Sequence, residues 1–175
     1  LYAQAAKEAT KPTNMKFGNA GLTAVEVKNL HHSGKLLVKK IKVTDSTIIN
    51  GTFEAVDSKF NKEAVINGNM DAKTSSFNDL NVNGNVKLKT VVVNGPANVN
   101  GKVEADESEF KNTLNIYGQL SAKKSKFEKK LTVKSVETDF EDCTAQDIIV
   151  QKTGNDATQK VILKGSNVNS ITFDS

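Results

Sequence analysis

Two neighbouring histidines, His31 and His32, are the first residues whose types suggest chemistry, because an imidazole placed beside a substrate can act as a general base. The residues that follow them, Ser33, Gly34 and Lys35, supply neither a carboxylate partner nor an obvious pocket. Zinc binding by the two histidines alone is not expected, since consecutive residues of a strand point to opposite faces. The sequence therefore predicts a partly exposed pair with no catalytic or metal-binding role.

A series of mostly acidic residues is the second candidate for chemistry, and it consists of Glu54, Asp71, Lys87, Glu104 and Ser121. Carboxylates in such a series could flank a calcium ion, or serve as acid and base of a polysaccharide lyase as in longer β-helix enzymes. Lys87 interrupts the series, and its charge predicts ordinary cross-strand ion pairs with its neighbours. Carbohydrate clefts also use aromatic platforms, whereas this chain has two tyrosines, Tyr2 and Tyr117, and no Trp. We interpret the series as a solvated ladder.

Cys143 is the only cysteine, so no intrachain disulfide can form, and its position predicts a small buried hydrophobic residue. The sequence contains no phosphate-binding loop, nucleophile elbow or cysteine–histidine constellation. We therefore predict that the protein is not an enzyme and has no catalytic, cofactor-binding or metal-binding residues.

Charge and hydropathy narrow the range of partners. All 24 basic residues are lysine, and the net charge is +4. A chain without arginine lacks the bidentate donor that reads guanine, so nucleic acid is not expected as a partner. Eight lysines fall within residues 1–42, which makes that end basic. No run of about 20 apolar residues is present, so no transmembrane segment is expected.

An internal repeat organises the chain. Glycines recur at intervals of 17, 16, 17 and 17 residues, and phenylalanines keep the same step with Val93 filling one place. The members are Gly51, Gly68, Gly84, Gly101 and Gly118, and Phe60, Phe77, Phe110 and Phe127. Asn-Gly pairs would indicate hairpins in another setting. Hairpins would not, however, produce this period, so the repeat predicts a solenoid.

Within one repeat the apolar residues come in pairs two apart, which is the period of a strand. Each repeat has three such pairs, for example Ala97/Val99, Val103/Ala105 and Ser108/Phe110. Stacking strand i on strand i+17 in parallel buries like residues on like in continuous columns. The sequence therefore predicts an all-β fold, a single-stranded parallel β-helix with three sides and about 17 residues per turn. Its handedness stays open.

The pairing defines the predicted domain. We expect residues 1–20 to form an N-terminal arm or cap, and residues 21–175 to form the β-helix, with roughly nine turns. Downstream the pattern predicts the inward pairs Val136/Thr138, Val161/Leu163 and Ile171/Phe173. A loop excursion is expected near residues 153–158, where turn-forming residues interrupt the pairs.

In repeat length and three-sided pattern, residues 22–173 resemble the bactofilins, bacterial cytoskeletal proteins with a short-turn β-helix. That resemblance implies a structural protein that polymerises end to end. Pairs six residues apart are also similar to those of the hexapeptide-repeat acyltransferases, which use a histidine base between coils. Three full hexads give 18 residues, however, and the period here is 17.

These observations leave three hypotheses for function. The first is a non-catalytic exported or surface solenoid, a structural or binding scaffold whose partner, a protein or a polysaccharide, lies along one face. The second is an end-to-end self-assembling, bactofilin-like scaffold that forms homo-oligomers through its terminal turns. The third is a carbohydrate-active β-helix enzyme. The start, Leu1 to Ala6, resembles the end of a signal peptide, with Ala3-x-Ala5 as the cleavage context, and predicts a periplasmic, cell-surface or secreted location.

Overall fold

The computed structural model describes residues 13–155 and 157–174. These residues form strands and turns without any helix, and the strands join into one parallel sheet wound as a β-solenoid of about eight turns. The predicted all-β solenoid with about 17 residues per turn is confirmed. The count of nine turns was slightly too high, because several of the turns are longer than the average repeat.

The strands follow one another in short units. The first twelve are β1 (Thr13–Thr23), β2 (Glu26–Val27), β3 (Leu30–Lys39), β4 (Lys42–Val43), β5 (Thr47–Asn50), β6 (Phe53–Val56), β7 (Lys59–Phe60), β8 (Ala64–Asn67), β9 (Met70–Lys73), β10 (Ser76–Phe77), β11 (Leu80–Asn83) and β12 (Val86–Lys89). The other eleven are β13 (Val92–Val93), β14 (Ala97–Asn100), β15 (Val103–Asp106), β16 (Glu109–Phe110), β17 (Leu114–Ile116), β18 (Leu120–Lys123), β19 (Lys126–Lys134), β20 (Glu137–Glu141), β21 (Thr144–Gln151), β22 (Lys160–Lys164) and β23 (Asn167–Asp174).

Three parallel stacks of strands make up the solenoid. The first face contains β5, β8, β11, β14 and β17, the second contains β6, β9, β12, β15 and β18, and the third contains β4, β7, β10, β13 and β16. Side chains alternate between buried and outward along every one of these strands. This alternation is the strand period that the sequence showed.

The core is a set of apolar columns that run along the axis. On the third face Phe60 pairs with Phe77, Phe77 with Val93, and Phe110 with Phe127, and all five side chains are buried. The predicted phenylalanine column is therefore confirmed. Its members pack ring against ring wherever two phenylalanines are adjacent.

A ladder of serines lines the inner corner between the second and third faces. The Oγ of Ser75 accepts a hydrogen bond from the backbone N–H of Ser58 at 3.1 Å and donates to the carbonyl of Lys73 at 2.8 Å. Ser108 accepts in the same way from the N–H of Val91 at 3.2 Å. Each hydroxyl thereby satisfies a backbone donor that has no partner in the strand ladder.

The glycine corner between the first and second faces has a different cause from the one we expected. We attributed the glycines to a narrow interior. The structure instead places Gly68 directly above Gly51, so that a Cβ on Gly68 would overlap the carbonyl oxygen of Gly51. Gly84 and Gly101 have the same relationship to the turn before each of them. The restriction is backbone contact between turns along the axis.

Non-glycine residues with positive φ occupy the corner between the second and third faces. Eight of them recur once per turn with φ between 47° and 54°, namely Ala24, Lys40, Asp57, Thr74, Thr90, Glu107, Lys124 and Asp142. A left-handed residue costs free energy, and it persists where the neighbouring structure fixes it. Here both adjoining strands are held by pairing with the turns on either side.

Changes in turn length are confined to corners. Leu120 pairs with Thr138, a step of 18, because one extra residue enters the corner after Val133. The inward pair is therefore Thr138 and Phe140, and the predicted pair Val136/Thr138 was wrong. Val136 is 54% exposed, since a slip of one residue moves every following side chain to the opposite face.

The two ends of the solenoid differ from the expected domain limits. β1 begins at Thr13 and pairs with β3, so the strand starts inside the range 1–20 that we expected to be an arm. Residues 1–12 lie outside the described residues, as does Asp156 of the expected loop excursion. The other residues between β21 and β22 form no strand, and the register across them increases to 23.

Candidate functional site

His31 lies on the outside of the first face, beside a serine. Its Nε2 is 3.2 Å from the Oγ of Ser46, and that hydroxyl donates to the Oδ1 of Asn29 at 2.9 Å. Because the hydroxyl proton is directed to Asn29, Nε2 donates to the serine oxygen and is not placed to remove its proton. The pair therefore lacks the arrangement of a serine activated by a base.

His32 occupies the inward column that continues as Ile49 and Ile66, as the repeat predicted. It is 3% exposed, and its Nε2 lies 3.1 Å from the backbone carbonyl of Lys35. Our expectation of a partly exposed pair was therefore wrong for His32 and correct for His31. The error arose because a histidine was read as a surface residue even in a core position.

The series Glu54, Asp71, Lys87, Glu104, Ser121 forms one outward column on the second face, as predicted. Lys87 approaches Glu104 at 3.9 Å, and Lys102 approaches the same carboxylate at 3.0 Å. All three side chains are well exposed, so these pairs contribute little to stability. Within residues 13–155 and 157–174, no group of three or more His, Cys, Asp or Glu side chains could hold a metal ion.

Cys143 is buried at the position that serines occupy in other turns. Its Sγ donates to the carbonyl of Glu141 at 3.3 Å, and its own N–H donates to the Oγ of Ser166 at 2.9 Å. Burial raises the pKa of the Cys143 thiol above its usual range, which leaves it protonated and unreactive. This matches the interpretation as a small buried side chain.

The first and second faces differ sharply in charge. Over five consecutive turns of the second face, eight of ten outward residues are charged: Glu54, Asp71, Lys73, Lys87, Lys89, Glu104, Asp106 and Lys123. Over the same turns of the first face none is charged, and seven of the ten are asparagine. These seven form what we call the amide face: Asn50, Asn67, Asn81, Asn83, Asn98, Asn100 and Asn115.

Two hydrogen-bonded ladders run along the amide face. In the first, Asn67 donates to Asn50 at 2.8 Å, Asn83 to Asn67 at 2.8 Å, and Asn100 to Asn83 at 2.7 Å. In the second, Asn98 donates to Asn81 at 3.1 Å and Asn115 to Asn98 at 2.9 Å. The ladders hold the amides in fixed orientations on a flat surface.

Tyr117 directly follows β17 and extends the column of Asn50 by one turn. Its N–H donates to the carbonyl of Val99 at 2.9 Å, and its side chain is 54% exposed. At the other end of the five turns lies Ile48, which is 38% exposed. The amide face is thus bounded by an aromatic ring at one end and an aliphatic side chain at the other.

Sequence reasoning did not identify the amide face. The signal was present as Asn-x-Asn in Asn81/Asn83 and Asn98/Asn100, one repeat apart. We read these residues as features of turns, because asparagine favours turns. The alternation of inward and outward positions would have placed both columns on one surface.

Comparison of the chain with protein-family models, curated proteins and solved structures gave no match. The bactofilin resemblance accordingly remains one of architecture, to which the parallel solenoid conforms. In the part of the chain that the structure describes, no helix is long and apolar enough to cross a membrane.

Proposed function

We propose that the protein is a non-catalytic solenoid scaffold that presents the amide face to a partner. The observation that carries this proposal is the contrast between the uncharged first face and the charged second face over the same five turns. A surface without a partner has no need to segregate charge in this way, since lysine and glutamate keep an exposed strand soluble on either face.

The chemistry of the other candidates favours the same proposal. The carboxylates of the second face lie in the open beside lysines, and their pairs are those of a solvated surface. The hydroxyl of Ser46 is engaged with Asn29. Neither arrangement prepares a nucleophile or a general acid for reaction.

A catalytic screen tests this proposal. The protein is incubated at high concentration with acidic and neutral polysaccharides and with acyl esters, and unsaturated products, reducing ends and released acids are measured. We expect no turnover above the blank. Turnover that disappears in a folded His31→Ala or Glu104→Ala variant would overturn the non-catalytic proposal.

Export is the second part of the proposal, and it rests on the sequence Leu1 to Ala6, which lies outside the described residues. Expression of the gene with its own upstream sequence, followed by cell fractionation, tests it. Recovery of the processed chain in the periplasmic, surface or culture fraction supports export. Recovery in the cytosol alone contradicts it.

End-to-end assembly is a second candidate function, favoured by the last turn of the solenoid. The apolar residues of this turn continue the core columns but are only partly covered, so that Leu163 is 41% and Phe173 is 53% exposed. Inward residues elsewhere donate their N–H to the following turn, as Ala64 does to Asp79 at 2.9 Å. By that alternation the N–H of Phe173 faces the open side of the last turn, and a second copy could satisfy it.

Light scattering over a concentration series tests this candidate. If copies join at the last turn, Phe173→Lys should lower the average mass, because it places a charge in the junction. Val136→Lys is the matched control, since Val136 is equally exposed but lies on the side of the solenoid. Equal loss of assembly in both variants, or a parent that stays monomeric, would exclude this junction.

A further inference from the structure

We propose that the partner of the amide face is an extended neutral polysaccharide whose chain runs along the solenoid axis. This inference rests on the proposed function and names the chemical class of the partner. The argument uses the placement of the asparagines, their unused hydrogen-bonding groups, the absence of charge and the exposed tyrosine at the end of the face.

The asparagines in the middle of strands have no structural necessity. Asn81, Asn98 and Asn115 stand between two inward residues of β11, β14 and β17, where no turn is formed. Asparagine is depleted at such positions, which β-branched residues fill better. The turns before and after this ladder do carry such residues, Val65 and Thr132. The asparagine ladder is therefore a local departure that strand formation does not explain.

Each amide in the ladders retains hydrogen-bonding capacity directed to solvent. A primary amide has two N–H donors and two acceptor lone pairs. In Asn83 one donor is used by Asn67 and one lone pair by Asn100. One donor and one lone pair remain, and the same holds for Asn98, which bonds Asn81 and Asn115. Paired donors and acceptors of this kind match the hydroxyl groups of a sugar.

The uncharged character of the face selects among polymers. A polyanion would be held by lysines, which are concentrated on the second face instead. A chain of neutral sugars needs no charge and gains from many fixed amides. Neighbouring strands are about 4.8 Å apart. This spacing is close to the length of one β-1,4-linked hexose in an extended chain, so successive sugars can meet successive turns.

Tyr117 adds an aromatic platform in line with the amides. Its ring is 54% exposed and follows Asn100 in the same outward column. Aromatic rings with a polar tip are suited to surfaces that are apolar on one side and wet on the other, and the C–H face of a sugar is such a surface. The tyrosine therefore supplies the apolar contact that the amides lack.

Binding of soluble cello-oligosaccharides, from the disaccharide to the hexasaccharide, tests the proposal by calorimetry and by NMR of the asparagine side-chain amides. We expect affinity to increase with length, and the amide signals of Asn83 and Asn98 to shift. Oligogalacturonates of matched length are the anionic comparison, and we expect them to bind more weakly.

Variants locate the binding surface. The double variant Asn83→Ala, Asn98→Ala should weaken hexasaccharide binding about tenfold, by removing two contacts. Tyr117→Ala should weaken it as well while leaving both ladders intact, which guards against a ladder variant that does not fold. Lys87→Ala, Glu104→Ala is the control on the second face and should bind as the parent does.

Three outcomes would overturn this inference: no binding of any neutral oligosaccharide, equal weakening by the amide-face and control variants, or self-association that the amide-face variant abolishes. The last would show that the face joins copies, as asparagine ladders can. None of these outcomes produces turnover. Failure of the inference is therefore distinguishable from failure of the non-catalytic proposal, which would appear as cleaved oligosaccharide.

Discussion

Phe60 and Phe77, one turn apart, stack with their ring centroids 4.6 Å apart and their planes inclined by 4°. Phe110 and Phe127 repeat the arrangement at 5.2 Å and 2°. The parallel register places identical residues above one another, and the strand spacing leaves room for one ring per turn. Aromatic stacking thus follows directly from the periodicity of the sequence.

The first prediction concerns this column. Phe110→Ala should lower the free energy of unfolding by about 3–5 kcal/mol, because it removes a buried ring and leaves a cavity beside Phe127. Urea denaturation measures the change. Glu109→Ala, which alters the outward-facing neighbour, is the control and should cost little. Equal midpoints for the two variants would contradict the assigned core.

The second prediction concerns the glycine corner. Gly68→Ala should destabilise the protein by about 1–3 kcal/mol, because its φ of +147° and the carbonyl of Gly51 both exclude a Cβ. Gly154→Ala is the matched control, since no heavy atom lies within 4 Å of its added Cβ. Thermal unfolding of both variants measures the difference, and a Gly68→Ala protein as stable as the control would disprove the close approach.

The third prediction concerns the serine ladder. Ser108→Ala should cost about 1–3 kcal/mol, because it leaves the buried N–H of Val91 without an acceptor. Ser76→Ala, on the outward side of β10, should be nearly neutral. Chemical denaturation gives both values. The backbone N–H of Val91 should also exchange faster with deuterium in the Ser108→Ala variant.

The fourth prediction concerns Cys143 and pH. Burial raises the pKa of the thiol in the folded state, so above the unfolded pKa of about 8.5 the unfolded chain loses its proton first. Stability should therefore fall as the pH rises above that value. In Cys143→Ala this part of the decline should be absent. Denaturation midpoints for parent and variant between pH 7 and pH 10 measure it, and parallel curves would contradict the assignment.

Much of the fold could be predicted because inward residues obey a period that geometry imposes. Phe60, Ala72 and Ile66 recur at the spacing that stacking requires, and the structure buries all three. The pair Val136/Thr138 was missed because one extra residue at a corner changes no composition, yet reverses every following side chain. A corner insertion is visible only when the strands on both sides are aligned.

The candidate surface was less predictable than the fold. Burial of His32 follows from its column, but the residue type suggested the surface. The amide face depends on two outward columns that lie far apart along the chain, such as Asn50 and Asn115, becoming neighbours only through stacking. Outward residues carry no hydrophobic period, so nothing in local sequence marks them as one surface.

The corner that carries the residues between β21 and β22 has a consequence for protein engineering. The register there increases to 23 from Glu137 to Lys160, while the paired strands on both sides keep their alignment. Foreign peptides grafted between Lys152 and Gln159 should consequently be displayed without disturbing the stacked turns. The solenoid would then serve as a rigid carrier, on which an inserted epitope projects from one edge at a fixed height.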